Sequence, residues 1–161
     1  MSLVTKAAPA HGYLCANPVL GPSTPSDLQR RPTMSYHFSK TVDLGFDQAI
    51  ERTTEELKKE GFGVLTQIDL KDTLKKKLDV DFRPYRILGA CNPHFAHQAL
   101  TAEDKIGTML PCNVIVQQLA DGQVEVSAVD PVASMVAVQN DKLGGIAGEV
   151  RDKLKRVIEG I

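Results

Sequence analysis

Asn113-Val-Ile-Val-Gln-Gln-Leu-Ala-Asp-Gly-Gln-Val-Glu-Val-Ser-Ala-Val129 holds two alternating apolar runs around an Asp-Gly pair. Alternation is the strand period, and Asp-Gly between two such runs is a hairpin signal, so 113–119 and 124–129 read as antiparallel neighbours. Working backward, Pro93 to Leu100 reads as a helix with Asn92 as its cap and proline in its first turn. Arg83 to Ala90 is a strand leading into it. Forward of the hairpin, Leu143, Ile146, Val150, Leu154 and Val157 repeat at helical spacing and predict an amphipathic helix over about 142–158. Farther back, Tyr36, Phe38 and Val42 suit a first strand. Phe46, Ile50, Thr53 and Leu57 mark a helix stopped by Gly61, with Glu55 and Lys59 spaced as an i, i+4 pair. Phe62 to Leu70 is a strand, and Asp69 or Asp72 caps a short helix ending at Lys75-Lys76-Lys77-Leu78. A hairpin mixed with crossovers predicts an α+β domain rather than a doubly wound sheet.

Residues 1–33 have another character. Five of the nine prolines fall there, and Gly21-Pro22-Ser23-Thr24-Pro25-Ser26 has linker composition. A disordered Pro-rich extension over 1–33 is expected, followed by a single domain over 34–161. A start at Met34 or a transit peptide are the other readings of this stretch. The whole chain of 161 residues carries 19 basic and 20 acidic side chains, a formal charge of -1. Without Lys6, Arg30, Arg31 and Asp27 the domain stands at -3. That balance disfavours nucleic acid as a partner, and no apolar run approaches the roughly 20 residues of a membrane span. Three cysteines do not form a disulfide framework, so reduced thiols and a cytoplasmic setting are expected.

The chemistry-bearing residues lie close together in sequence. In Leu88-Gly89-Ala90-Cys91-Asn92-Pro93-His94 a strand runs directly into a helix. Cys91 is thus placed beside free N–H groups at the positive helix end, which predicts a lowered thiol pKa. Gly89 and Ala90 leave space for close approach of another group. Met109-Leu110-Pro111-Cys112-Asn113 brings a second Cys with Asn and Pro, and Cys112 lies near Cys91 if their strands are neighbours. Such a pair permits redox chemistry or soft-metal binding. His94 and His97 complete a Cys-x-x-His-x-x-His spacing, read first as a solvated helix face and second as a base or ligand. Asp130-Pro131 is a turn signal before it is a site carboxylate, and the lysine run is a solvated face before it is a basic patch. Dinucleotide, phosphate-loop, zinc-protease and serine-hydrolase signatures are absent.

Tyr85-Arg-Ile-Leu-Gly-Ala-Cys-Asn-Pro93, followed by Ala96 and Ala99-Leu100, resembles the signature of a bacterial and archaeal family, domain of unknown function 302. Leu110-Pro-Cys-Asn-Val114, Gly61-Phe-Gly-Val64 and Val129-Asp-Pro131 resemble its other motifs in the same order, over about 36–160. The resemblance implies a TATA-binding-protein-like α+β arrangement. In it about five strands form one curved, mixed but largely antiparallel sheet with helices on one face. It also implies a homodimer, but no reaction, cofactor or metal, since the family has no established activity. Cys91, Asn92, Pro93, Pro111 and Cys112 correspond to its recurring positions, whereas His94 and His97 do not.

Three functions compete on these residues. The first is a non-enzymatic homodimeric module whose thiol-lined pocket, with Cys91, Asn92, Cys112 and His94, binds a small ligand or soft metal. The second is a redox or sulfur-transfer enzyme in which Cys91 attacks and Cys112 resolves. In the third, a structural or interaction protein, both cysteines only pack.

Overall fold

The computed structural model describes residues 35–161, so the extension expected over 1–33 lies outside the described residues. The elements are β1 (His37–Val42), α1 (Phe46–Lys59), β2 (Gly63–Asp69), α2 (Leu70–Leu78), β3 (Tyr85–Cys91) and α3 (Pro93–Ala102). After a 3-10 turn (Ile106–Met109) come β4 (Cys112–Gln118), β5 (Val124–Val129), α4 (Pro131–Ser134) and α5 (Asp141–Gly160). The strands form one open sheet in the order β1-β5-β4-β3-β2, and every neighbouring pair is antiparallel. The α+β class read from the hairpin is the observed one. A parallel pair is lacking because α1 carries the chain from β1 to the far edge instead of to a neighbouring position.

β4 and β5 pair from Val114↔Ala128 to Gln118↔Val124, and the side chain of Asp121 accepts from the Gln123 N–H at 3.1 Å in the turn. The strand period then builds the core. Leu88, Ala90, Cys112, Val114, Val116, Val124, Val126 and Ala128 are buried, and the register pairs Ala90 with Cys112, Val114 with Ala128 and Val116 with Val126 on one face. Against this face α1 packs Ala49, Thr53 and Leu57, and α5 packs Val150, Leu154, Val157 and Ile158. Full burial of a Leu such as Leu57, Leu88 or Leu154 contributes about 1.5–3 kcal/mol each.

The α5 stripe falls as expected. On α1 the buried line runs Ala49-Thr53-Leu57, while Phe46 and Ile50 are only partly buried at its margin. Lys59 pairs at 2.7 Å with Glu56, which the helix turns inward, and not with Glu55. α1 ends in a Schellman motif: Phe62 N–H donates to Leu57 O at 2.9 Å and Gly61 N–H to Lys58 O at 3.0 Å. Gly61 sits at φ 84, a conformation that glycine adopts without a Cβ penalty. Phe62, the residue this turn delivers to the core, is buried.

α2 buries no residue; Asp69 caps it, and Lys75 and Lys76 pair with nearby aspartates. β3 runs one residue past the expected end because the ladder to β2 extends to Gly63↔Cys91. The 3-10 turn and α4 are too short to show a helical period in the sequence.

Candidate functional site

Cys91 is the last residue of β3 and Cys112 the first of β4. Ala90 is the register partner of Cys112, so Cys91 is offset from it by one residue, with Cα atoms about 6 Å apart for adjacent strands. Both cysteines are free thiols, Cys112 buried and Cys91 half-buried. Both residues border one cavity of about 30 Å³ together with Phe62, Phe95, Leu110 and Ile146, Cys112 from the core face it shares with Ala90 and Cys91 from the end of β3. That volume admits a water or a single large atom, whereas organic ligand sites are about 300–1,000 Å³. The walls are almost wholly apolar.

Backbone close approach explains the small residues. A Cβ on Gly89 would stand 2.8 Å from the Pro111 ring and closer still to the Thr66 hydroxyl. The group that approaches Gly89 therefore belongs to the same chain, and it seats the Pro111–Cys112 segment on β3.

Asn92 acts as a clasp. Its Oδ1 accepts from the His94 N–H at 3.2 Å, capping α3, and its Nδ2 donates to Glu60 O at 3.4 Å, at the end of α1. Glu60 in turn binds α5: Arg156 donates from Nε at 2.9 Å and from Nη2 at 2.8 Å, and Lys153 Nζ lies at 3.4 Å. These contacts hold the Glu60 carboxyl below its usual range, the Arg156 hydrogen bond being the largest cause. The junction of α1, α3 and α5 beside the cavity is a polar lock that sequence reasoning missed. Its partners are nearly a hundred residues apart, and only the acceptor-donor character of Asn92 hinted at it.

Electrostatics correct the expectation for Cys91. Burial pushes its thiol up rather than down. The His94 N–H of the first helix turn is taken by the Asn92 side chain, and desolvation sets the direction of the shift. Cys112 is pushed up to about 11, first by burial and then by its proximity to Cys91. Both side chains are therefore neutral thiols near pH 7.

The histidines point elsewhere. His94 and His97 are exposed on α3, and His94 is bonded to Gln98 at 2.8 Å. Neither lines the cavity, so His94 does not join Cys91, Asn92 and Cys112 there. No group of three or more His, Cys, Asp or Glu is placed to hold a metal ion among the described residues. Asp130 caps α4 through the Val132 and Ala133 N–H groups, the turn role expected first. No helix among the described residues is long and apolar enough to cross a membrane.

Cys112 also faces a second space. A groove of about 250 Å³ is lined by Thr108, Met109, Leu110, Cys112, Asn113 and Met135 among others. Leu110, Cys112, Pro131 and Met135 separate it from the inner cavity and line both.

No curated protein matches the chain. Its fold and sequence are similar to the crystal structure of an uncharacterized conserved DUF302 protein from Bacillus stearothermophilus. The identity is 32% and the TM-score 0.73, covering 78% of this chain and 97% of that one. The family model described as domain of unknown function DUF302 matches residues 38–161. The chain belongs to the DUF302 family.

Proposed function

We propose that the domain is a non-enzymatic binding module whose inner cavity, at Cys91 and Cys112, is the site for one soft metal ion. The observation that carries this reading is that two free cysteines, at the facing ends of adjacent strands, both border one apolar cavity of about 30 Å³. The volume argues against an organic ligand, and thiols select soft ions over hard ones. A cytoplasmic setting, which keeps thiols reduced, and the homodimer implied by the family resemblance belong to the same reading. Leu65 and Ile68, apolar and exposed on edge strand β2, are available surface for such pairing. Silver(I) is a suitable probe. Titrated anaerobically into the reduced full chain carrying Cys15→Ser, it binds at one equivalent, and this equivalent is lost in Cys112→Ser. Uptake no greater than in the Cys91→Ser/Cys112→Ser variant refutes the reading. Light scattering of the same samples tests the dimer.

A second reading, dithiol exchange, is favoured by the unequal exposure of the two thiols. The Cys91 thiolate attacks a low-molecular-weight disulfide and releases one thiol. The Cys112 thiolate then attacks the mixed disulfide, leaving a Cys91–Cys112 bond and a second small thiol. Incubation with oxidised glutathione then lowers the protein mass by two hydrogens, reversibly with dithiothreitol. A mass unchanged after prolonged incubation excludes it.

A further inference from the structure

Among the described residues, Cys112 is the one cysteine that borders both the inner cavity and the outer groove, and it does not border them with carbon alone. Met135 lines both spaces beside it. Met109 lines the groove and is 40% exposed, so a thioether stands where solvent enters. Four sulfur-bearing residues thus border the two adjoining spaces, Cys91 the inner one, Met109 the outer one, and Cys112 and Met135 both. No histidine or carboxylate side chain is among the lining residues; the polar members are Asn92 in the inner cavity and Thr108, Asn113 and Ser134 in the groove.

Resting on the soft-ion reading above, we infer that the ion is a monovalent coinage-metal cation, copper(I) or silver(I), held by the Cys112 thiolate and the Met135 thioether, the two sulfur groups whose residues border both spaces, with Met109 at the mouth of the groove. Charge decides among the soft ions. One thiolate and one monovalent cation sum to zero, and thioethers add donors without charge. A pair of thiolates around the same ion would leave a net negative charge in an apolar cavity, and a divalent ion on one thiolate a net positive one. Thioethers also discriminate, because they bind copper(I) and silver(I) and offer little to zinc or magnesium. Met109, at the surface, is the first sulfur an incoming ion meets; Met135 and Cys112 lie behind it. Cys91 remains protonated as the inner wall. The binding step is an exchange without redox change: the Cys112 S–H bond breaks, a sulfur–metal bond forms, and one proton goes to solvent.

The test uses the full chain carrying Cys15→Ser, reduced and anaerobic, with silver(I) as probe and copper(I) in competition with a chromophoric chelator. Expected are one proton released per silver ion and a shift of the Met135 methyl resonance on binding. Met135→Leu, which conserves volume, weakens binding by about tenfold or more, no less than the loss of an outer-shell contact. Methyl resonances that stay in place need no variant to interpret them. An unmoved Met135 methyl, or two protons released with wild-type affinity in Met135→Leu, overturns the inference while leaving the soft-ion reading intact. No uptake by the unsubstituted site overturns both.

Discussion

Asn92 and Asn140 make the same pair of bonds at successive helix junctions. Each accepts through Oδ1 from the first turn of its own helix, Asn92 from His94 N–H and Asn140 from Lys142 N–H. Each donates through Nδ2 to the carbonyl end of another helix, Asn92 to Glu60 O of the α1 terminus and Asn140 to Ala102 O of α3 at 3.0 Å. Aspartate caps a helix as well as asparagine does but has no N–H to give. Asn92→Asp and Asn140→Asp therefore keep the caps and lose the clasps. Each should cost about 1–2 kcal/mol in urea unfolding. The loss is larger at Asn140, whose bond is shorter and whose new carboxylate would face Glu103. Equal stability of Asn140→Asp and the unsubstituted protein would refute the clasp.

Gly89 and Gly144 should respond to alanine with opposite signs. At Gly89 the added methyl meets the Thr66 hydroxyl of β2 and the Pro111 ring before β4, so these neighbours must draw back from β3, a cost of about 1–3 kcal/mol. At Gly144, inside α5, nothing lies within 4 Å of the added atom. Alanine there favours the helix by roughly 0.5–1 kcal/mol. Thermal melts of both variants check the pair.

The lock between Glu60 and α5 should be visible in acid. Its carboxyl ionises more readily folded than unfolded, so the stabilisation is present above the unfolded pKa, about 4.3, and is lost as pH falls through the lower folded value. Glu60→Gln should be less stable than the parent near pH 6, and the gap should close toward pH 3. A gap independent of pH across urea titrations would show that the charge of Glu60 contributes nothing.

The thiols behave in the reverse sense. Cys112 holds its proton more tightly in the folded state, so its contribution is intact below the unfolded pKa, about 8.5. It is lost as pH rises toward about 11. Stability of the parent should fall more steeply over that alkaline window than stability of Cys112→Ser. Iodoacetamide should label Cys91 before Cys112 in the native protein, and slowly at pH 7, since both thiols are neutral there. Fast labelling of Cys112 at neutral pH would contradict its burial.

Elements with a strong period are legible from residues alone. The 113–129 hairpin, the Leu143-to-Val157 stripe and the Asn92-Pro93 helix start each repeat a local rule that the fold keeps. The rotation of α1 is less legible. Ala49 competes poorly with Phe46 and Ile50 as a sign of the buried face, yet its small side chain is what lets the helix lie close to β4 and β5. At the candidate site, the nearness of the two cysteines follows once β3 and β4 are neighbours. The size of the cavity does not, because Phe62 and Ile146 arrive from opposite ends of the domain to fill it. Cys91 shows where local logic stops. A helix start predicts a stabilised thiolate, but the donor is engaged by the next residue and burial sets the direction.

The strand order has a consequence for how the domain is made. β2, β3, β4 and β5 are laid side by side in the order of synthesis, whereas β1, completed first, pairs only with β5. The Ser39–Ser127 hydroxyl contact across that last seam spans 88 residues of chain. A chain emerging from a ribosome holds β1 unpaired until the other four strands have been translated. It can settle four strands as a meander, but the opening segment must wait for its partner. Both ends of the translated domain are thus joined in one late step. A ribosome stalled before Val124 would carry a sheet whose β4 edge is open and whose first strand has nowhere to go.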